Sequence, residues 1–212
     1  AAGECDYSQH GGNRLGANSL LSAIYGGTVA GPNAVNYIKG LDKHVEDLPS
    51  KIYDEAVREE QAKWDDVISM DKGNENAYLL HKELGEIMTN NVTVVRYNKQ
   101  LQDTLGKLAE FKERWNNINV NDTAKWSNQG VQFTRQLRNM IALANVITKG
   151  ALLRDESRGA HYKPEFPERD DENFLKTTIA EFTPSYEPTI TYEEVDCSMI
   201  KPRKRDYTGG AH

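Results

Sequence analysis

Leu101-Gln102-Asp103-Thr104-Leu105-Gly106-Lys107-Leu108-Ala109-Glu110-Phe111-Lys112-Glu113-Arg114-Trp115 decides the fold. Its apolar residues Leu101, Leu105, Leu108, Phe111 and Trp115 recur in steps of four, three, three and four. That spacing draws one stripe down a helix and leaves Asp103, Lys107, Glu110 and Glu113 facing water. A helix with one apolar stripe is stable only against other helices or a sheet, so its neighbours matter.

Those neighbours repeat the pattern. Past a loop over Asn116 to Thr123, the residues Phe133, Leu137, Met140, Ala144, Ile147 and Ala151 again step by three and four. Upstream, Leu80, Leu84, Ile87, Met88, Val92 and Val95 predict a helix from about Glu75. Its β-branched end, Val92-Thr93-Val94-Val95, also fits a short strand, and the longer helical run outweighs it. Before the turn Asp71-Lys72-Gly73-Asn74, a helix from Ser50 to Ser69 points Ile52, Ala56, Trp64, Val67 and Ile68 inward. Three or four such helices joined by short polar turns predict a mainly α, antiparallel three- to four-helix bundle. Residues 18–39 form one further helix, or two divided near Gly31-Pro32, since proline removes a mid-helix hydrogen bond. After Arg154 scattered prolines predict an irregular tail with at most one or two short strands, one of them Ile190 to Val195.

Composition narrows the function. A net charge of −6 argues against a nucleic-acid binder. No apolar run is long enough to span a bilayer as a helix. Cys5 and Cys197 make no disulfide framework, and the five histidines show no zinc spacing, so no metal site is expected. The acidic turn Glu168, Asp170, Asp171, Glu172 lacks the alternating ligand spacing of a calcium loop and reads as solvated.

The start of the chain carries the chemistry. Gly3-Glu4 is followed by His10-Gly11-Gly12-Asn13-Arg14-Leu15-Gly16-Ala17-Asn18-Ser19-Leu20-Leu21. Asn18 and Ser19 are good N-cap residues, so a helix beginning there aims unpaired N–H groups and a positive dipole end at the glycine-rich loop. In that loop Arg14 supplies a planar guanidinium able to grip a carboxylate through two parallel hydrogen bonds.

This stretch resembles the end of the FAD-binding domain in the succinate dehydrogenase and fumarate reductase flavoproteins. The resemblance continues through Glu156-Ser157-Arg158-Gly159-Ala160-His161-Tyr162 and Pro167-Glu168-Arg169-Asp170-Asp171. With Ala2-Gly3-Glu4-Cys5-Asp6-Tyr7-Ser8 and the ending Pro202-Arg203-Lys204-Arg205-Asp206-Tyr207, it is most similar to the Gram-positive bacterial succinate dehydrogenase type. The resemblance implies that Arg14 binds the dicarboxylate substrate, that Glu4 contacts the sugar-alcohol part of FAD, and that Ser19 and Leu20 meet the flavin pyrimidine edge. His10 reads as a packing or capping residue. Arg158 and His161 are expected to hold the bundle against the flavin domain. Residues 1–48 would be the remnant of the FAD-binding domain, 49–157 the bundle, and 158–212 a tail packed on it.

The family further implies succinate oxidation, an iron–sulfur subunit as electron acceptor, a membrane anchor subunit behind it, and a peripheral place on the cytoplasmic face of the cell membrane. No G-x-G-x-x-G occurs and the chain opens without an initiator methionine, so it is expected to be a C-terminal piece of a longer protein. Such a piece would contain no catalytic residue acting alone and would hold no FAD by itself. Fumarate reductase and L-aspartate oxidase flavoproteins share similar motifs, and a purely structural docking role for the bundle is the reading from another class. The basic run Lys201-Pro202-Arg203-Lys204-Arg205 is a candidate contact with a partner or an anionic membrane surface.

Overall fold

The computed structural model describes residues 1–6, 10–14 and 16–203, with nothing said of the Glu4 side chain. Tyr7, Ser8, Leu15 and the run from Lys204 to Tyr207, all singled out above, lie outside the described residues. Among the described residues, six α-helices and one hairpin follow in order: α1 Asn18–Lys39, α2 Ser50–Ile68, α3 Ala77–Asn91, α4 Asn98–Trp115, α5 Gln129–Leu153, α6 Asp171–Phe174, β1 Lys176–Glu181 and β2 Thr189–Glu194. The strands pair antiparallel, with Lys176 opposite Glu194 and Glu181 opposite Thr189.

Helices α3, α4 and α5 pack against one another, and α2 lies on α5. Side-chain pairs give the directions. Arg114, at the end of α4, bonds Glu75 just before α3, whereas Asn91 at the end of α3 donates to Thr104 in the first half of α4. Trp115 donates from its indole Nε1 to the Thr134 carbonyl near the start of α5 at 2.8 Å. Helices α3, α4 and α5 therefore run antiparallel, each to the next. The core holds Leu80, Leu84, Leu108, Phe111, Trp115, Ile118, Val131, Leu137 and Ile141, all buried.

Several details depart from the sequence pattern. On α2 only the C-terminal end is packed: Trp64, Val67 and Ile68 touch the core, while Ile52 stays 53% exposed and Ala56 is exposed too. On α5 the buried line runs Val131, Thr134, Leu137, Ile141, Ala144, Thr148 and Ala151, and Ile147 faces out. Two threonines take the place of aliphatic residues because their hydroxyls are satisfied: Thr134 donates to the Gly130 carbonyl and Thr148 to the Met88 sulfur. Helix α3 stops at Asn91, not Val95. Its β-branched continuation leaves the helix, where χ1 restriction disfavours it, and Val95 forms an isolated bridge with Tyr162. Helix α1 is continuous through Pro32; the stretch is exposed, so the carbonyl freed by the proline can be hydrated. In the tail, β1 and the single turn α6 carry no periodic signal, and the expected strand at Ile190 to Val195 is β2.

The bundle ends are fastened by backbone pairing. Glu75 N–H donates to the Asn117 carbonyl, and Asn119 N–H donates back to the Glu75 carbonyl, both at 2.9 Å. The crossing is so close that a Cβ built on Gly73 overlaps the Asn117 carbonyl and comes within 2.7 Å of the Ile118 oxygen. Backbone on both sides leaves no flexible atom to give way. Gly73→Ala is therefore expected to lower stability by about 2 kcal/mol or more, at the high end of ordinary point substitutions. Urea denaturation of the two chains measures it, and an unchanged midpoint would contradict the crossing.

Candidate functional site

The site assembles where the first twenty residues meet the segment after α5. The 3-10 turn Gly3–Cys5 lies along α1, and glycine permits the approach. Gly3 adopts φ +75°, and a Cβ on Gly26 would stand 3.0 Å from the Gly3 nitrogen. This fixes the Glu4 backbone beside the first half of α1.

The cap of helix α1 falls one residue before the first expected one. Ala17 takes the cap position in the left-handed region, φ +64°, and no side chain caps the helix. Asn18 and Ser19 sit inside the first turn; the expectation that either caps it fails because Ala17 already turns the chain. The cap residue thus supplies no side-chain acceptor to the first-turn N–H groups. Ser19 is half-buried, and its carbonyl accepts from the Ser22 hydroxyl at 3.0 Å. Leu20 is 74% exposed.

The loop before α1 is held from two sides. His10 Nε2 lies 3.0 Å from the Ser22 hydroxyl, which agrees with a packing histidine. Gly12 lies against the turn Arg158-Gly159-Ala160, and its carbonyl accepts from Ala160 N–H at 3.4 Å. Arg14 follows two residues later. It is exposed and makes no hydrogen bond or ion pair with the described residues. The sequence-expected residues thus fall into one region: Glu4 by its backbone, Arg14, Ser19 and Leu20 all lie on the turn–loop–α1 segment.

Beneath the loop is a buried ionic network. The fully buried Glu156 carboxylate accepts from Arg154 at 2.6 Å, from Arg158 Nε at 2.8 Å and a second Arg158 nitrogen at 2.9 Å, and from the Asp170 N–H at 2.9 Å. Arg154 also donates to the carbonyls of Phe174 and Lys176, both at 2.7 Å, and so ties the end of α5 to α6 and β1. Arg158 pairs with Asp171 at 2.7 Å, and Arg169 with the other Asp171 oxygen. Burial opposes the Arg158 charge, but the bonds to Glu156 and Asp171 prevail and raise its pKa. Burial likewise pushes Asp171 up, and the two arginines outweigh it, leaving its carboxyl below the usual range. The acidic turn is therefore not simply solvated. Asp171 is in ion pairs and Asp170 caps α6, and among the described residues no group of side chains is placed to hold a metal ion.

His161 continues the network. Its Nε2 is 2.9 Å from the Arg154 carbonyl and its Nδ1 is 2.6 Å from an Arg96 guanidinium nitrogen. A carbonyl only accepts and a guanidinium only donates, so the ring is the neutral Nε2–H tautomer. Burial lowers the His161 pKa, and the nearby charges of Arg96, Lys163 and Arg154 add to that against the Arg154 carbonyl bond. Lys163, fully buried, donates to the Leu152 carbonyl and to Asp155. Lys163 and Arg96 carry no signal in the sequence, and Glu156 stands there only inside a motif, with no role of its own. The alternating charges of Arg154-Asp155-Glu156-Ser157-Arg158, directly after an apolar helix, were the available signal.

The comparisons with known proteins decide the family. Residues 81–207 match the model described as fumarate reductase flavoprotein C-term, which is more than half of the chain. The chain belongs to the succinate dehydrogenase and fumarate reductase flavoprotein family. It is 63% identical over 209 residues to the succinate dehydrogenase flavoprotein subunit of Bacillus subtilis, covering 98% of this chain and 36% of that one. Against the fumarate reductase flavoprotein subunit of Escherichia coli it is 33% identical, over 100% of this chain and 35% of that one. Among solved structures, a mutant of E. coli quinol fumarate reductase FrdA superposes with a TM-score of 0.85 at 32% identity, covering 95% of this chain and 34% of the other. Mycobacterium smegmatis Sdh1 in complex with UQ1 gives 0.76 at 29% identity, with 94% and 33% covered. The chain therefore spans about a third of the length of the relatives it matches. No helix among the described residues is long and apolar enough to cross a membrane.

Two outcomes follow from the network of this family member. Glu156→Gln leaves Arg154 and Arg158 without their buried counter-charge and is expected to cost about 3–5 kcal/mol, measured by urea denaturation. His161 binds fewer protons folded than unfolded, so its contribution is complete above its ordinary value of 6.5 and is lost as pH falls below it toward the depressed folded value. Stability should therefore drop more between about pH 7.5 and 5.5 in the native chain than in His161→Gln, whose amide can donate to Arg154 and accept from Arg96 without titrating.

Proposed function

We propose that this chain is the C-terminal part of the flavoprotein subunit of a succinate dehydrogenase. In this reading the longer protein oxidises succinate to fumarate and passes electrons through an iron–sulfur subunit to membrane quinone. It is peripheral on the cytoplasmic face of the membrane, held there by its partners. The 63% identity to the B. subtilis subunit supports this assignment over the fumarate reductases at 33–36%.

The observation that carries it is Arg14. An exposed guanidinium with no partner among the described residues, on a loop anchored at both His10 and Gly12, is arranged to receive an anion. Its two outer nitrogens match a carboxylate, so one end of a dicarboxylate is gripped in a fixed direction. Such a grip orients the substrate carbons and balances charge as electrons leave them.

The remaining residues fit one edge of FAD. The first turn of α1, at Asn18, Ser19 and Leu20, has no side-chain cap from Ala17 and directs its N–H groups and positive dipole end to an electron-rich ring edge. Leu20, Leu21, Ile24 and Tyr25 leave an apolar face uncovered beside it. Glu4, whose backbone is held against α1, supplies an acceptor for hydroxyl groups. FAD, when bound, supplies two-electron acceptance; the residues here orient the substrate and support one side of the ring. These residues form half a site, so the 212-residue chain alone is expected to be inactive.

Arg14→Lys in the full-length flavoprotein with its partner subunits tests the assignment. Lysine keeps the charge but loses the two-pronged geometry, so kcat/KM for succinate should fall about 100-fold or more. FAD content should be unchanged. Activity within a few-fold of native, or a preference for aspartate over succinate, would overturn it. Comparing succinate oxidation by quinone with fumarate reduction by quinol separates the fumarate reductase reading.

A further inference from the structure

We infer that Gly159 is a positioning residue for Arg14: the turn Arg158-Gly159-Ala160-His161 sets where the Arg14 loop sits, although it does not touch the substrate position itself. The inference rests on the proposed role of Arg14 and adds to it the part of the molecule that holds that arginine in place.

Contact geometry carries the inference. Gly159 adopts φ +59°, and a Cβ built on it overlaps the carbonyl of Gly12 and stands 2.9 Å from the Asn13 nitrogen. Gly12 meets the turn from the other side: a Cβ there would come 2.9 Å from Arg158 Cγ and 3.4 Å from the Arg158 backbone. Two glycines face each other with no room for a methyl group between them. Ala160 N–H closes the contact onto the Gly12 carbonyl.

The two surfaces are not equally firm. Residues 11–14, which meet the turn, are all exposed, so apolar burial does not fix this part of the loop. The turn opposite is rigid. Arg158 N–H donates to the His161 carbonyl at 2.7 Å and His161 N–H returns the bond at 3.0 Å. The Arg158 guanidinium is held by Glu156 and Asp171, and the His161 ring by Arg96 and Arg154. When a side chain is forced between them, the loop must yield. Arg14 then moves with it, two residues beyond the point of contact.

A displaced arginine weakens the grip on the substrate carboxylate without removing any group that reacts. Gly159→Ala in the full-length flavoprotein with its partner subunits should raise KM for succinate about 10- to 100-fold, the range in which misplacement of around an ångström is felt. The fall in kcat should be much smaller, and FAD content unchanged. Gly12→Ala intrudes on the same contact from the loop side at a residue without positive φ, and should raise KM likewise. It decides alone if Gly159→Ala does not fold. A direct readout is limited trypsin cleavage after Arg14, which should quicken several-fold in both variants while cleavage at bundle sites keeps the native rate. A merely structural glycine would lower the melting temperature and speed cleavage everywhere without separating KM from kcat. That pattern, or KM within twofold of native in every folded variant, overturns the inference. Arg14→Ala in the same assays keeps the two ideas apart. If it leaves KM unchanged, the proposed role of Arg14 fails, and accelerated cleavage after Arg14 in the glycine variants still shows that Gly159 holds the loop. If it raises KM and the glycine variants do not, only the positioning role fails.

Discussion

The Glu156 carboxylate is the point on which the C-terminal half of this structure depends. It is fully buried and accepts four hydrogen bonds, from two arginines and one backbone N–H. Through Arg154 it reaches α6 and β1; through Arg158 it reaches Asp171 and the turn that meets the N-terminal loop. An apolar cluster of similar volume could give comparable stability, because desolvating charges offsets much of their attraction. It could not give direction. A carboxylate met on both oxygens by guanidinium N–H groups fixes distance and angle together, and here it fixes the orientation of the turn that Gly12 meets.

How much of this was legible in the sequence depended on the range of the interaction. Leu101, Leu108, Phe111 and Trp115 were readable as core because a helix repeats every 3.6 residues and their stripe is unbroken. The α5 stripe was displaced to Val131, Thr134 and Ile141, because hydropathy alone does not count a threonine whose hydroxyl bonds the preceding turn. Ile52 was read as buried and is exposed because periodicity gives a face, not a partner, and α5 meets only the far end of α2. The roles proposed for Arg14, Ser19 and Leu20 rest on a motif, whereas physics alone offers only a glycine-rich loop before a helix. The network was the least legible part. Arg96 and His161 are 65 residues apart, and a buried lysine such as Lys163 looks like any surface lysine until its partners are placed.

The two halves of the candidate site differ in how they are stabilised. The bundle buries a continuous core of its own. Helix α1 does not: Leu20, Leu21, Ile24, Tyr25 and Ile38 remain exposed, and among the described residues its main neighbour is the short turn at Gly3–Cys5. An isolated helix carrying Gly26, Gly27, Gly31 and Pro32 is weak in water, since glycine and proline are poor helix formers and tertiary packing supplies most helical stability. On the proposed reading, the apolar face of α1 is covered by the flavin domain of the longer protein, which also completes the ring site.

It follows that Arg14, the substrate arginine on the proposed reading, belongs to the weakly packed half but takes its position from the strongly packed one. The contact between Gly12 and Gly159 is where that position is transmitted, and it works by exclusion rather than attraction. The single long hydrogen bond from Ala160 contributes little, whereas the absent Cβ atoms let two backbones approach closely enough that only one placement fits. Held in this way, residues 11–14 stay exposed, which on the proposed reading leaves Arg14 open to a small dicarboxylate. The position of Arg14 should therefore be sensitive to bundle residues such as Glu156 that lie outside the substrate site altogether.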